Sequence, residues 1–406
     1  MKVCVIGAGV IGCATAYQLA RQGFDVHLLD SEAAPGLATS YANGAQLSYS
    51  YVEPFASPTT LWALPKMLLS RESAVRFHPR WDWRQWAWGL QFLRACTVRQ
   101  SVRGTETLLQ MAQASRATLA DWMQAEDWNF GFEQNGKLVL CPTAEALRQQ
   151  ERQVRLQAAL GCDQQILTVQ ECLEAEPALR RARALRFVGG VWTQSECVAD
   201  PHLLCQEMVG SLQRLGGTVS LGVQASGFVR HRSRISAVMT HQGEIEADAF
   251  VLAAGPRAVT LAAALGIYLP IYPIKGYSIT VPFLPGVQRP CASVTDLARK
   301  TVFAPLHNSL RVAAMAEVGA KGLDIAPARV QAMVEAVDQT YPGLCDVGAP
   351  ESWAGLRPAT PTSVPIVGRW QSSNVYLNVG HGALGLTLAA GSAVALSRHM
   401  GRVDGA

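Results

Sequence analysis

Lys2-Val3-Cys4-Val5-Ile6-Gly7-Ala8-Gly9-Val10-Ile11-Gly12, followed by Val26-His27-Leu28-Leu29-Asp30-Ser31, is the stretch whose reading decides the fold. An apolar run ends in a glycine turn, a helix-compatible segment follows, and a second apolar run ends in an acid. Gly7 permits a tight turn, Gly9 lets backbone approach a pyrophosphate with no Cβ in the way, and Gly12 lets the helix pack closely on the strand. Val10 and Ile11 stand at a helix N-terminus, whose free N–H groups and partial positive charge suit phosphate. Asp30, with Ser31 beside it, ends the second strand where a carboxylate can accept hydrogen bonds from ribose hydroxyls. The pattern predicts dinucleotide binding. Lys2 ahead of an uncharged, mostly apolar stretch to Ala20 also has the look of a secretory leader, but three spaced glycines are a poor choice for its apolar region.

A chain of 406 residues has room for two domains, or for one large α/β body with an inserted cap. Apolar residues at 49% against 16% charged predict a well-buried enzyme and exclude a disordered chain. A net charge of +4 without a long basic run argues against nucleic acid. Ten cysteines without a CxxC pair or a His/Cys cluster indicate neither a metal site nor a disulfide framework, and favour a reducing, cytoplasmic setting. Gln371 to Ser397 carries no Asp, Glu, Lys or Arg, enough length to cross ~30 Å of hydrocarbon. Asn374, Asn378, His381 and repeated glycines predict instead a buried strand over 375–379, a glycine turn and a helix from about Gly385.

Residues 36–58 read as a long loop. Residues 61–160 read as mainly helical, interrupted by a hairpin of Phe130–Phe132 and Lys137–Leu140 about Asn135-Gly136. Asp200-Pro201 predicts a helix start that runs to Gly216-Gly217, with strands over 218–223, 228–230 and 235–240. Ala249–Leu252 reads as a second buried strand, closing in Ala253-Ala254-Gly255, small enough for a ligand to approach the backbone. Alternating runs over 271–318 predict an antiparallel sheet with one covered face, and 325–340 a helix. Glycine segments near the start, middle and end must converge, which suits FAD, a longer ligand than one βαβ unit needs. The expected class is α/β with an α+β cap. A Rossmann-like FAD-binding domain is expected from 1–50, 190–265 and 345–406, and an antiparallel-sheet cap from 51–189 and 266–344.

Further segments carry a resemblance. They are Thr39-Ser40-Tyr41-Ala42-Asn43-Gly44-Ala45-Gln46, Tyr272-Pro273-Ile274-Lys275-Gly276-Tyr277-Ser278, and Leu310-Arg311-Val312 with Met315-Ala316-Glu317. Trp353-Ala354-Gly355-Leu356-Arg357-Pro358 and Gly380-His381-Gly382-Ala383-Leu384-Gly385-Leu386-Thr387 complete the set. With the N-terminal fingerprint, and in this order from end to end, they resemble the D-amino acid oxidase superfamily, most nearly the small-subunit type of bacterial D-amino acid dehydrogenase. The resemblance implies a noncovalent FAD under a cap sheet. It also implies oxidation of an amino acid to an imino acid that hydrolyses to a 2-oxo acid and ammonia, hydride passing from Cα to flavin N5 and electrons to quinone or another acceptor. It places Gly7, Gly9 and Gly12 at the pyrophosphate, Asp30 at the ribose, and the backbone of Val223 at the adenine. Ser40, Asn43, Gly44, Gln46 and Leu47 would line the flavin, with Ala254 and Gly255 also beside the cofactor. Gly382, Ala383, Leu384, Gly385 and Thr387 would set a helix N-terminus at the pyrimidine end, where reduced flavin carries negative charge.

By the same resemblance Arg357 anchors the substrate carboxylate beside the flavin. Tyr277 is a weaker candidate for a hydrogen bond to substrate, and Tyr49 and Tyr51 for an entrance gate. His381, between two glycines, reads as a turn residue, and no acid/base residue is expected, since this oxidation depends on orientation. A glycine, sarcosine or cyclic imino acid (proline-type) oxidase or dehydrogenase is the first alternative, and a flavin-bearing subunit without its own turnover the second. Two departures bear on the substrate: Arg299 precedes Lys300 where such enzymes often show tyrosine, and Ala313-Ala314 stands where paired glycines are common. Both fall on the cap sheet and suit an acidic, polar or cyclic substrate. The absence of Cys over 353–361 fits a flavin held without a covalent bond. Finally, Trp81, Trp83, Trp86 and Trp88 lie among Arg76, Arg80, Arg84, Arg94 and Arg99. That mixture suits peripheral contact with anionic head groups on the inner face of the cell membrane; packing of cap on cofactor domain is the other reading.

Overall fold

Six strands form the first sheet of the computed structural model, which describes residues 1–61, 75–232, 234–371 and 373–401. Their order is Ile366–Arg369, Val375–Val379, Ala249–Leu252, Lys2–Ile6, Asp25–Leu29 and Thr218–Ser220. All neighbours run parallel except the first pair. Val3 pairs with Val26 on one side and Ala249 on the other. Parallel strands are covered on both faces, which explains why these runs are continuously apolar. One face packs under helices Val10–Arg21, Val98–Ala125, Pro201–Arg214 and Gly385–Met400. The other packs under a meander of Ala225–His231, Arg234–Thr240 and Gly243–Glu246 and under helix Ala258–Ala264.

The glycine turn is set by contact. Gly7 has a φ of +112°, and an ideal Cβ there would stand 2.6 Å from the Ala253 carbonyl oxygen. A Cβ on Gly12 would fall 1.6 Å from the Gly7 oxygen. Helix and strand therefore meet at backbone distance, and the three segments 2–12, 25–30 and 249–255 are drawn to one end of the sheet.

The second sheet has nine strands. Eight run in the order Glu351–Ala359, Tyr272–Pro282, Ser309–Val318, Thr301–Pro305, Ser293–Asp296, Lys137–Cys141, Gly189–Thr193 and Gln165–Leu167, and Val75–Phe77 joins beside Ser309–Val318. It is antiparallel apart from the pairings of Ser293–Asp296 with Lys137–Cys141 and of Val75–Phe77 with its neighbour. One face is covered by helix Pro327–Thr340 through Tyr277, Ile279, Val312, Met333 and Val337. Two strands that boundaries at 190 and 345 would group with the cofactor portion, Gly189–Thr193 and Glu351–Ala359, hydrogen-bond into this sheet.

Local expectations mostly hold. The Asp200 carboxylate caps its helix by accepting from the His202 and Leu203 N–H groups, with Pro201 at the first helical position. The strand from Thr218 stops at Ser220 because Gly222, at φ +70°, turns the chain so that the Val223 N–H meets the Asp30 carbonyl. The hairpin at Asn135-Gly136 does not form. Lys137–Cys141 pairs with Gly189–Thr193 and Ser293–Asp296, while Phe130 packs against Trp128 and Phe132. Trp192 lies over Gly136, so long-range packing there overrides the local turn signal. Residues 62–74 of the expected helical stretch lie outside the described residues.

Gly12→Ala should lower the unfolding midpoint sharply, by an overpacking cost of about 2 kcal/mol or more, because the contact is backbone on both sides. Gly89→Ala, in helix Trp83–Ala95 with nothing within 4 Å of its ideal Cβ, should leave the midpoint unchanged or raise it by up to about 1 kcal/mol. Chemical denaturation of both variants checks the contrast.

Candidate active site

Residues 39–48 form a strap between the two sheets. Ser40 Oγ accepts the Val10 N–H at 3.0 Å, the first free donor of helix Val10–Arg21. Thr39 Oγ1 donates to the Leu356 carbonyl at 2.8 Å, on the strand that bears Arg357. The Ser278 hydroxyl donates to the Ala42 carbonyl, and Arg311 donates to the Asn43 carbonyl at 3.2 Å and to Thr280 Oγ1 at 2.7 Å. Asn43 Oδ1 accepts the Ala45 N–H at 2.8 Å, which holds Ala45 at φ +54°. Gln46 donates to Ser293 Oγ at 3.1 Å, and Gln46 and Leu47 pair with Cys197–Val198. The Ser48 N–H then reaches Thr387 Oγ1 at 3.0 Å. Gly44 faces the methyl of Ala313, 3.6 Å from its ideal Cβ.

At the N-terminal end of this groove, Gly9 is open except towards Ser40. Helix Val10–Arg21 has neither an acid in its first turn nor a side-chain cap from its own N-cap residue. The Asp30 carboxylate accepts from the Ala8 and Glu32 N–H groups and, at 3.4 Å, from Ser31 Oγ; with about four lone-pair sites it retains acceptor capacity. Arg257 donates to Ser31 Oγ and lies 3.7 Å from Glu32. Ala254 lies against Gly7, and Gly255 is at φ +52°. These residues suit the diphosphate and ribose of a dinucleotide: a backbone cradle that any Cβ would fill, with a carboxylate beside it.

At the other end, Gly382–Leu384 forms a short 3-10 turn into helix Gly385–Met400, whose first turn again has no acid and no side-chain cap. His381 bridges Ala359, so the turn is tied to the Arg357 strand. The imidazole is buried, its Nε2 has no hydrogen-bond partner, and burial pushes its pKa down to about 3. A ring that neutral at ordinary pH is no proton shuttle.

Arg357 is the unusual charge. Its side chain lies over Gly276, where an ideal Cβ would stand 2.5 Å from Nη2. Among the described residues its one hydrogen bond is long, 3.5 Å to the Met315 carbonyl. Met315 itself stands at φ +67° in a bulge of its strand, which aims that carbonyl at the guanidinium. Among the described residues no carboxylate lies within ion-pair distance of Arg357, and burial lowers its pKa. Its neighbours differ: Arg311 lies 3.6 Å from Asp200, and Arg329 pairs with Glu317. A desolvated cation without a counter-charge is costly, and an anionic ligand relieves that cost.

The structure engages four candidates in contacts other than those expected of them. Tyr277 is on the opposite face of its strand from Gly276 and Ser278, packed under helix Pro327–Thr340, where its hydroxyl meets Glu317 and burial raises its pKa to about 12. Tyr49 is 3% exposed and packs among Val52, Leu108 and Trp122 in the first core, so it is no gate. Tyr51 points inward too, its ring 4.4 Å from Lys137 Nζ, and burial raises its pKa. Arg299 spends its donors on Asp296 at 2.7 Å, Gln339 at 2.7 Å and the Ala184 carbonyl. Sequence reasoning missed Arg311, Ser278, Ser48 and Lys137. Lys137 had one visible sign, a lone charge opening an otherwise apolar strand.

Gly276→Ala should leave the fold within about 1 kcal/mol, since the atom it meets ends a flexible side chain, yet displace the guanidinium. Benzoate, used as a carboxylate probe in a thermal-shift titration, should then bind about tenfold more weakly.

Comparison with known proteins places the whole chain. A family model described as FAD dependent oxidoreductase (DAO) matches residues 2–399. D-amino acid dehydrogenase 2 of Pseudomonas aeruginosa is 42% identical over 405 residues, covering 99% of this chain and 95% of the relative. The protein of the same name in Ralstonia nicotianae is 42% identical over 406 residues, covering 97% and 95%. Among solved structures, glycine oxidase from Geobacillus kaustophilus is similar with a TM-score of 0.76 at 20% identity, covering 100% of this chain and 95% of that one. L-proline dehydrogenase from P. horikoshii is similar with a TM-score of 0.75 at 16% identity, covering 98% and 93%. Likeness at such identities speaks for the fold.

Proposed function

We propose, from the premise that this chain belongs to the DAO family of FAD-dependent oxidoreductases, that it oxidises D-amino acids to 2-oxo acids and ammonia. The observation that carries the reading is Arg357, a part-buried guanidinium with no acid partner among the described residues, on the strand that meets the strap. The handedness, and an acceptor other than oxygen, are supported by relatives named D-amino acid dehydrogenase across nearly the full chain.

FAD, when bound, supplies the two-electron acceptor. The Gly7–Gly12 turn and helix Val10–Arg21 would hold its diphosphate, Asp30 its ribose, the Val223 backbone its adenine, and residues 40–47 with 382–387 its flavin, without a covalent bond. Arg357 takes the substrate carboxylate as a two-pronged salt bridge and so fixes Cα. The ammonium gives its extra proton to solvent, because His381 stays neutral and buried. Loss of the Cα hydrogen with two electrons leaves a C=N bond, and water hydrolyses this imine to the 2-oxo acid and ammonia. Ala313 narrows the groove beside Gly44, while Arg299, engaged elsewhere, is not offered to an acidic side chain.

We further propose that the electrons pass to a membrane quinone. Trp88 is internal, its indole N–H donating to the Ala359 carbonyl at 2.8 Å. Trp81, Trp83, Trp86, Leu90 and Leu93 are exposed, with Arg80, Arg84 and Arg94 nearby, which supports contact with an anionic bilayer. No helix among the described residues is long and apolar enough to cross a membrane, so such contact would be peripheral.

In anaerobic spectra of the purified protein, D-amino acids should bleach the flavin band near ~450 nm while L-isomers, glycine, sarcosine and prolines do not. Bleaching by glycine or prolines alone would replace the substrate class, and bleaching by none would leave the flavin-subunit reading. Arg357→Met should keep the fold and FAD yet lose about 100-fold or more in kcat/KM, with Arg357→Lys restoring only part.

Sedimentation with vesicles containing anionic lipid should deplete the wild type from solution, but not a Trp81→Ser/Trp83→Ser/Trp86→Ser variant. Equal recovery of both in the supernatant would remove the membrane contact.

A further inference from the structure

Lys137 opens the strand Lys137–Cys141, whose other residues are apolar, and only 4% of it is exposed. Its ammonium donates to Ser48 Oγ at 2.9 Å and lies over the Tyr51 ring. Among the described residues no carboxylate stands within ion-pair distance of it. The acid that acts on it is Glu196, itself 1% exposed, with one oxygen accepting the Ser50 N–H at 2.7 Å and the other without a hydrogen-bond partner. Burial pulls the Lys137 pKa down to about 8 and raises that of Glu196. A strand core this apolar gains nothing in packing from an ammonium, and a buried charge that meets its acid only across the shared Ser48 hydroxyl is costly.

The position of the charge suggests its use. Ser48 faces both ways: its hydroxyl takes the ammonium, and its N–H reaches Thr387 in the first turn of helix Gly385–Met400. Ser293, which pairs in register with Lys137, holds the side chain of Gln46. The cation is therefore one hydrogen bond from the strap and two, through Ser48, from the helix start.

We propose that Lys137 is a positioning residue that, through Ser48, sets a positive charge beside the pyrimidine end of the flavin and so favours its reduced form. This rests on the reading that Thr387 and the start of its helix meet that end. A neutral lysine would do nothing there. The ionised one adds to the helix N-terminus, and inside a protein one nearby charge changes an equilibrium by about tenfold. Tyr51 stacks on the ammonium and helps keep it charged.

The test uses the FAD-loaded protein and two readouts: the two-electron midpoint potential, and the dissociation constant of inorganic sulfite, whose addition to oxidised flavin also places negative charge on the pyrimidine ring. Lys137→Met should lower the potential and weaken sulfite binding about tenfold or more. Lys137→Arg should recover most of both, and Ser48→Ala should shift them in the same direction by less. A merely structural lysine would give a lower melting temperature with both readouts unchanged, and that result overturns the proposal. Should Lys137→Met fail to fold, unchanged readouts in Ser48→Ala overturn it instead. Neither readout needs an amino acid, so failure of the substrate assignment, seen as unbleached flavin, is distinguishable from failure of the lysine's role.

Discussion

The strap of residues 39–48 is the constraint on which the rest of this molecule depends. Each sheet has its own core and its own covering helices, and neither requires the other for backbone pairing. An irregular segment joins them, its polar groups shared out to the glycine-turn helix, to the Leu356 carbonyl, to Ser278 and Arg311, to Ser293, and to Thr387, beside the bridge from His381 to Ala359. A buried loop must satisfy its peptide groups somewhere. Here the demand is met from both sides, so the groove between them has a determined width.

Charge is distributed unequally over the second sheet. Arg311 and Arg329 are locked by acids and serve as struts. Arg357 is part-buried and has only a long contact to a carbonyl. The difference separates arginines that hold the architecture from one whose partner comes from outside. The two helix starts, at Val10 and Gly385, extend the same asymmetry to the backbone, since neither has an acid in its first turn.

The sequence disclosed what is local and withheld what depends on parity or distance. The turn at Gly7–Gly12 and Asp30 is one contiguous unit of steric logic, and it was readable without a partner. The Asp200 cap, the buried strand at Val375–Val379 and the helix after Gly385 were legible for the same reason. Tyr277 was misplaced because pleat parity decides which face a residue takes, and the sequence does not say which face the helix will cover. Asn135-Gly136 has the letters of a hairpin, but its strand finds its partners far along the chain, at Gly189–Thr193 and Ser293–Asp296. Arg357 came into view through resemblance alone; its missing counter-charge is a property of three strands together.

The strand order of the first sheet also has a consequence in time. Lys2–Ile6 lies in the middle, between Asp25–Leu29 and Ala249–Leu252, and the sheet continues only with Val375–Val379. During synthesis at roughly 5–20 residues per second, the first strand therefore waits more than ten seconds with one edge unpaired. The glycine turn cannot become a cradle until Ala253 arrives to close it from the other side. Capture of a nucleotide is thus a late event in the life of the nascent chain, and until then an apolar edge must be kept from other chains.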